Sequence, residues 1–349
     1  MSLIYNYRKN ILSFKIESTI FYRLKNSLGD KLSQLDFKEL YDEFNTKFHN
    51  KEYEKALDLS YELLKVAQEV DIEVAYALMA KVRVLTVLDQ KKQLLETFDE
   101  IIDNFSKTKD ENISYIFAYA LYNKAIILAK EKKYEEELSC YNQLLENFIS
   151  DVSLKIELIL TKTYLNKAIC TKELGKLEDV VLVYEELIKN FENSEQEEVL
   201  LDVASALFNL SSIYQKLENN DKAIVKFDRL IEICNKINNK DSLELLAKAL
   251  VNKASLLSNI NEISKALETY DEIIINFENE INPMLLSQVA LALYNKILLL
   301  GELGKQAELI EVSDKFIEKF ANTKDAIIKD MVLTAEVLKD KEKYNTNSF

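Results

Sequence analysis

Four glycines and one proline in 349 residues leave little material for tight turns. Sheets depend on such turns, and turns draw heavily on Gly and Pro. The sequence is therefore read as all-α. Tryptophan is absent, and His49, in the Phe48–Asn50 turn, is the only histidine. A Ser-His or Cys-His constellation thus has one possible base. Scattered glycines exclude a P-loop and a dinucleotide fingerprint, and HExxH and CxxC are missing. Runs such as Glu135-Glu136-Glu137 read as solvated helix faces. We expect no enzymatic activity, no catalytic residues and no cofactor. Cys140, Cys170 and Cys234 sit inside helical patterns, so they read as small buried hydrophobes in a reducing cytoplasm, too dispersed for a metal site.

Net positive charge is also lacking. The net charge is −14, which argues against a phosphate-backbone partner such as nucleic acid. The first 35 residues are the exception, with six Lys or Arg against two acids. That basic, apolar start reads as an end cap for the array that follows; a membrane-surface or partner helix is the other reading. No uninterrupted apolar run of about 18 residues occurs, so no membrane span is expected. MSLIYNYRKN lacks the apolar core and cleavage site of a secretion signal.

A 43-residue repeat is what the sequence does contain. ALYNK occurs at 120–124 and again at 292–296, four periods apart. Ala80, Asn123, Asn166, Asn209, Asn252 and Asn295 are spaced by 43, as are Phe105, Phe148, Phe191, Cys234, Phe277 and Phe320. An earlier unit from Leu40 is shorter. Fixed periods of this size mean stacked supersecondary units. Each unit reads as two helices separated by one turn column: Asp89, Lys132, Gly175, Glu218, Asn261, Gly304. Capping boxes are expected at Ser194/Glu197 and Asp241/Glu244, and Pro283 at a first helical position.

These units resemble the tetratricopeptide repeat family. Ala223/Phe227 and Ala266/Tyr270 match its second-helix pair, and Ser211 and Tyr214 match its first-helix small residue and Tyr. Departures are the missing Trp and terminal Pro, Val82 and Ile297 at the small-residue position, Glu137 in place of an Ala, and the long period. Long-period bacterial relatives look like this. The resemblance implies a right-handed α-solenoid of about seven antiparallel helix pairs with N- and C-terminal capping helices. First helices, of about 20 residues, would line the concave face. The expected organisation is a basic cap (1–38), the array (39–324) and a capping helix with tail (325–349).

At 100° per residue, the Asn column lies about 40° beyond the apolar arc of the first helix, on the side the family uses as its groove. Asn123, Asn166, Asn209, Asn252 and Asn295 would form a ladder whose amides can match the N–H and C=O of a peptide. Bonding to neighbouring helices is the alternative use. Tyr122, Phe208 and Tyr294 are expected beside them. The Lys column (Lys81, Lys124, Lys167, Lys253, Lys296) falls inside the apolar arc, so each stem should lie on apolar surface with its head reaching out, toward an acid column of Asp99, Asn142, Glu185, Asp228, Asp271 and Asp314. The reading is a cytoplasmic scaffold that binds a protein or peptide in the groove. The alternatives are a peptide-sensing regulator or a structural, oligomer-building repeat protein. The oligomeric state is left open.

Overall fold

The computed structural model describes residues 35–67, 71–150 and 154–346. The basic cap before residue 35 lies outside the described residues. Fifteen helices and no strands occur among them: α1 (Leu35–His49), α2 (Tyr53–Val66), α3 (Asp71–Val87), α4 (Lys91–Phe105), α5 (Glu111–Lys130), α6 (Tyr134–Phe148), α7 (Leu154–Glu173), α8 (Leu177–Phe191), α9 (Glu197–Lys216), α10 (Asn220–Ile237), α11 (Lys240–Asn259), α12 (Ile263–Phe277), α13 (Pro283–Glu302), α14 (Gln306–Phe320) and α15 (Ala326–Thr346). The first fourteen form seven pairs and α15 is the terminal helix. First helices α5, α7, α9, α11 and α13 start 43 residues apart and each has 20 residues.

The helices form two compact units that divide between Leu187 and Ile188. In the first, α3 packs on α2, α4, α1 and α5, and α5 on α4, α6, α3 and α7. In the second, α11 packs on α10, α12, α9 and α13, and α13 on α12, α14, α11 and α15. Each of these four first helices touches its own partner, the preceding second helix and the first helices on either side. Such a helix must be apolar over most of its circumference, which α5 (ENISYIFAYALYNKAIILAK) is. Second helices are amphipathic. The Phe column ends α4, α6, α8, α12 and α14, and Cys234 takes its place in the last turn of α10; all are buried.

The turn column explains why so few glycines suffice. Asp89, Lys132, Gly175, Glu218, Asn261 and Gly304 all have φ between 52° and 77°, and Lys51 (φ 62°) does the same in the short first repeat. This left-handed residue lets the next N–H reach back five residues to cap the helix: Gln90 to the Leu85 carbonyl at 3.0 Å, Lys133 to Leu128 at 3.0 Å, Asn219 to Tyr214 at 2.9 Å. Most of these positions hold L-residues in a conformation that costs each roughly 1–2 kcal/mol, offset by the capped carbonyls.

N-terminal capping differs in part from expectation. Asn282 accepts from Met284 N at 2.9 Å with Pro283 following, as the sequence indicates. The expected box at Asp241/Glu244 sits two residues upstream instead: Asn239 accepts from Ser242 N at 3.0 Å and Ser242 Oγ accepts from Asn239 N at 2.9 Å. Ser194 does not cap α9. The helix starts after Gln196, whose N–H Ser194 Oγ accepts at 3.2 Å. Asn238, in the left-handed region (φ 49°), extends α10 and brings the chain into α11 earlier than the acidic spacing suggests.

Candidate functional site: the first-helix face

The lysine column is an inter-repeat clip. Lys124 Nζ lies 2.5 Å from Asp99, 25 residues back in the preceding second helix, and Lys296 lies 2.5 Å from Asp271 at the same separation. Lys253–Asp228 (2.6 Å) and Lys339–Asp314 (2.6 Å) repeat the geometry. The lysine side chains are largely covered while the carboxylates are about half exposed, so stems lie on apolar surface and heads emerge. Lys339 stands one period after Lys296 and extends the column beyond the six units of the repeat.

Two members deviate for a chemical reason. Opposite Lys167 the acid column holds Asn142. Burial therefore pushes the Lys167 amine below its usual range, with only partial compensation from Glu186 and Glu146. At Lys124 burial also opposes the charge, but the Asp99 hydrogen bond and charge outweigh it and raise the pKa. Lys81 would look back at Ala56; it turns to Glu100 at 3.7 Å and lies 5.3 Å from the Tyr61 ring.

The asparagine column divides into two environments. Asn123 is 2% exposed and Asn166 0%. Asn123 Nδ2 donates to the Tyr119 carbonyl at 2.9 Å, and Asn166 Nδ2 donates to Tyr122 Oη at 2.9 Å. Both Oδ1 atoms are buried with no hydrogen-bond donor. Tyr122, at 1%, and Phe208 are buried as well. These four residues sit inside the packing, where a partner has no access to them, contrary to the expectation of an open ladder. Aromatic girth closes the face: Tyr122 spans from one repeat to the amide of the next. Asn209, Asn252, Asn295 and Tyr294, by contrast, are half-buried. Asn295 and Ser255 hydrogen-bond Tyr270, offsetting part of the burial that pushes its phenol up to about 12.

Neighbouring columns follow the same division. Ile126 is 0% exposed, whereas Leu298, its equivalent four repeats on, is 37% exposed. Ser212 and Ser255 between them are half-buried. Arg83, also in that column, stacks over Phe48 of α1 at 4.4 Å and donates to Asn45 Oδ1 at 3.0 Å.

The tetratricopeptide repeat family model matches residues 205–233, which run from the core of α9 through most of α10. The array is tetratricopeptide-like in fold. Its repeats add eight residues to the N-terminal end of that first helix, since α9 begins at Glu197. Among solved structures, the apo form of RapI is 14% identical over 84% of this chain and 79% of its own, with a TM-score of 0.52, a likeness in fold. Weaker likenesses are to BtubC from P. vanneervenii (15% identity, 67% of this chain, 92% of that one, TM-score 0.48) and to the apo quorum sensor NprR from B. thuringiensis (14%, 96% and 97%, 0.44). No curated protein matches the sequence.

Elsewhere the tetratricopeptide-like array offers little chemistry. His49 is exposed at the end of α1, its Nδ1 2.6 Å from the Asn45 carbonyl. No cluster of three metal-ligating side chains occurs among the described residues. Cys140 and Cys234 are buried thiols pushed up to about 11 and 12 by desolvation. A polar cleft of about 690 Å³ lies on the second-helix side, lined by Glu135, Asn142, Glu146 and Lys176 among others, away from the asparagine column. By length and composition α13 is long and apolar enough to cross a membrane, unlike the expectation from uninterrupted runs. Its buried residues Ala290, Ala292, Leu293 and Ile297 and its four packed neighbours account for that composition.

Proposed function

We propose that the chain is a non-enzymatic binding scaffold that takes an extended or helical segment of another protein on the first-helix face of its second unit. The observation carrying this is the accessible row of Asn209, Asn252 and Asn295, with Tyr294 and Leu298 beside it. An asparagine amide offers both a donor and an acceptor to a peptide backbone, while Tyr294 and Leu298 provide apolar contact for side chains. The row belongs to the second unit only, because its counterparts Asn123 and Asn166 are buried. Three buried cysteine thiols suit the reducing cytoplasm.

Panning displayed peptides against the full chain tests this. Binders should lose at least tenfold affinity to Asn252→Asp and to Leu298→Glu, with melting temperature unchanged. Binders indifferent to both substitutions would place the interaction elsewhere. A short peptide that co-purifies with the chain and is lost in the same variants would select the peptide-sensing form of the function.

A further inference from the structure

Among the described residues neither a second helix nor a further first helix follows α15, and the two sides this leaves open differ in chemistry. One period earlier, Leu293 and Ile297 are buried on the stripe of α13 that continues to Gly301, which lies against Leu309 of α14. Their equivalents on α15 are Glu336 and Asp340. That side is polar, as an end cap requires. The other side faces the following first helix in the interior repeats. Tyr122 shows this, since its Oη accepts from Asn166 of the next repeat at 2.9 Å. On α15 the Tyr122 column holds Val337, 68% exposed, and Leu333 beside it is 51% exposed. The Leu333 column is small in each earlier repeat: Ala75, Ala118, Thr161, Ala204, Ala247 and Ala290, all 0% exposed. A leucine there overfills the space in which another first helix would make the same close approach.

We propose that this side of α15 packs against the same helix of a second copy of the chain, antiparallel across a two-fold axis. α15 presents it firmly: Ile328, Val332 and Ala335 are buried on the opposite side, and Lys339 is held by Asp314 at 2.6 Å. Asp330, Leu333, Thr334, Val337 and Lys341 are all exposed, and at 100° per residue they share one arc of about 100°. Asp330 and Lys341 cancel, so this face is neutral in a chain of net charge −14. Two acidic chains approach there with little repulsion. The order of the two charges selects the orientation. Asp330 lies five residues before the midpoint of Leu333 and Val337, and Lys341 six after it. Antiparallel pairing about that midpoint sets each Asp330 within one residue's rise, about 1.5 Å along the axis, of the second copy's Lys341. Parallel pairing would set like charges together. The contact is isologous, with Leu333 of each copy against Val337 of the other. It lies outside the asparagine row and stands apart from the partner-binding proposal.

Light scattering of the full chain over a concentration series should reach twice the chain's mass by about 100 μM, well above a micromolar Kd. Leu333→Glu and Val337→Glu should each raise the dissociation constant at least tenfold with helical content retained, because both side chains are exposed in the single chain. A monomer throughout, or a dimer indifferent to both substitutions, would overturn the inference. Charge exchange reads the orientation. Asp330→Lys or Lys341→Asp alone should weaken the dimer at least threefold, and the two together should restore it. A double exchange that restores nothing would rule out the antiparallel pairing. Disulfide trapping gives a second reading, the native cysteines being buried. Under mild oxidation Thr334→Cys, next to the axis, should join two copies, whereas Ile327→Cys, about 24 Å from its counterpart along the helices, should not. Trapping through Ile327→Cys instead would overturn the arrangement.

Discussion

The two ALYNK segments present one sequence in two environments. Ala120 and Leu121 are buried, as are Ala292 and Leu293, and both lysines reach back to an aspartate of the preceding repeat. Tyr122 and Asn123 are closed in, while Tyr294 and Asn295 remain half-buried. The letters that pack between helices of one repeat behave alike, because a 43-residue unit carries its own packing with it. Those that look away from the repeat depend on what lies across from them, which five residues cannot specify. Repeat arrays make this visible because each unit contacts only its neighbours.

Tyrosine truncation should separate the copies most. Tyr122→Ala removes a fully buried ring and the acceptor of Asn166, and should cost about 3–5 kcal/mol. Tyr294→Ala should cost less than half as much. Local hydrogen exchange in α5 and α13 reads the difference better than one melting curve, since arrays lose cooperativity. A similar cost for both would mean that the environments are equivalent in solution.

Charge on the same face gives the next contrast. Ile126→Asp buries an unpaired carboxylate and should cost upwards of about 3 kcal/mol, whereas Leu298→Asp should change stability by about 0.5 kcal/mol. Denaturant midpoints of the two variants check this. Comparable losses would show that the Leu298 side of α13 is covered too.

Smaller effects probe the clips and turns. Asn142→Asp gives Lys167 the carboxylate that Lys124 already has, and should stabilise by about 0.5 kcal/mol, the range of partly exposed ion pairs. The signs are worked from the shifts. Lys124 has a raised pKa, so its pair contributes fully below the ordinary lysine value near 10.4 and loses that contribution as pH rises through the raised value. Lys167 has a lowered pKa, so its charge opposes folding at neutral pH, and the opposition fades as pH rises from the lowered value toward the ordinary one. The gain from Asn142→Asp should therefore be present at pH 7 and absent by about pH 12, measured by denaturation at both. Glu218→Gly, relieving a left-handed L-residue (φ 55°), should stabilise by roughly 0.5–1 kcal/mol. Gly175→Ala should cost a similar amount, because the strain is then imposed instead of removed.

Most of the fold was legible in the sequence because it is written periodically. Asn261 and Gly304 mark the turn that Asp89, Lys132 and Glu218 share without any local signal, since only the 43-residue spacing places them there. Lysines inside an apolar arc were readable as snorkelling side chains, and the acid column as their partners, because helix geometry fixes both faces. The candidate site was half legible. Angle alone puts Asn123 and Asn295 on the same side of their helices, and it is silent on whether that side is open. Asn239 defeated the capping prediction because Asn238 ended α10 late, a backbone choice with no periodic signature.

By itself the sequence determined the unit: its length, its two helices, its left-handed turn and its inter-repeat ion pair. All are set within one period by side-chain volume, helical angle and charge at short range. Tertiary structure alone decided which copies of the unit keep an accessible asparagine. Exposure depends on how the side chains of successive repeats meet across a face, as Tyr122 meets Asn166, and spacing within one period does not specify that.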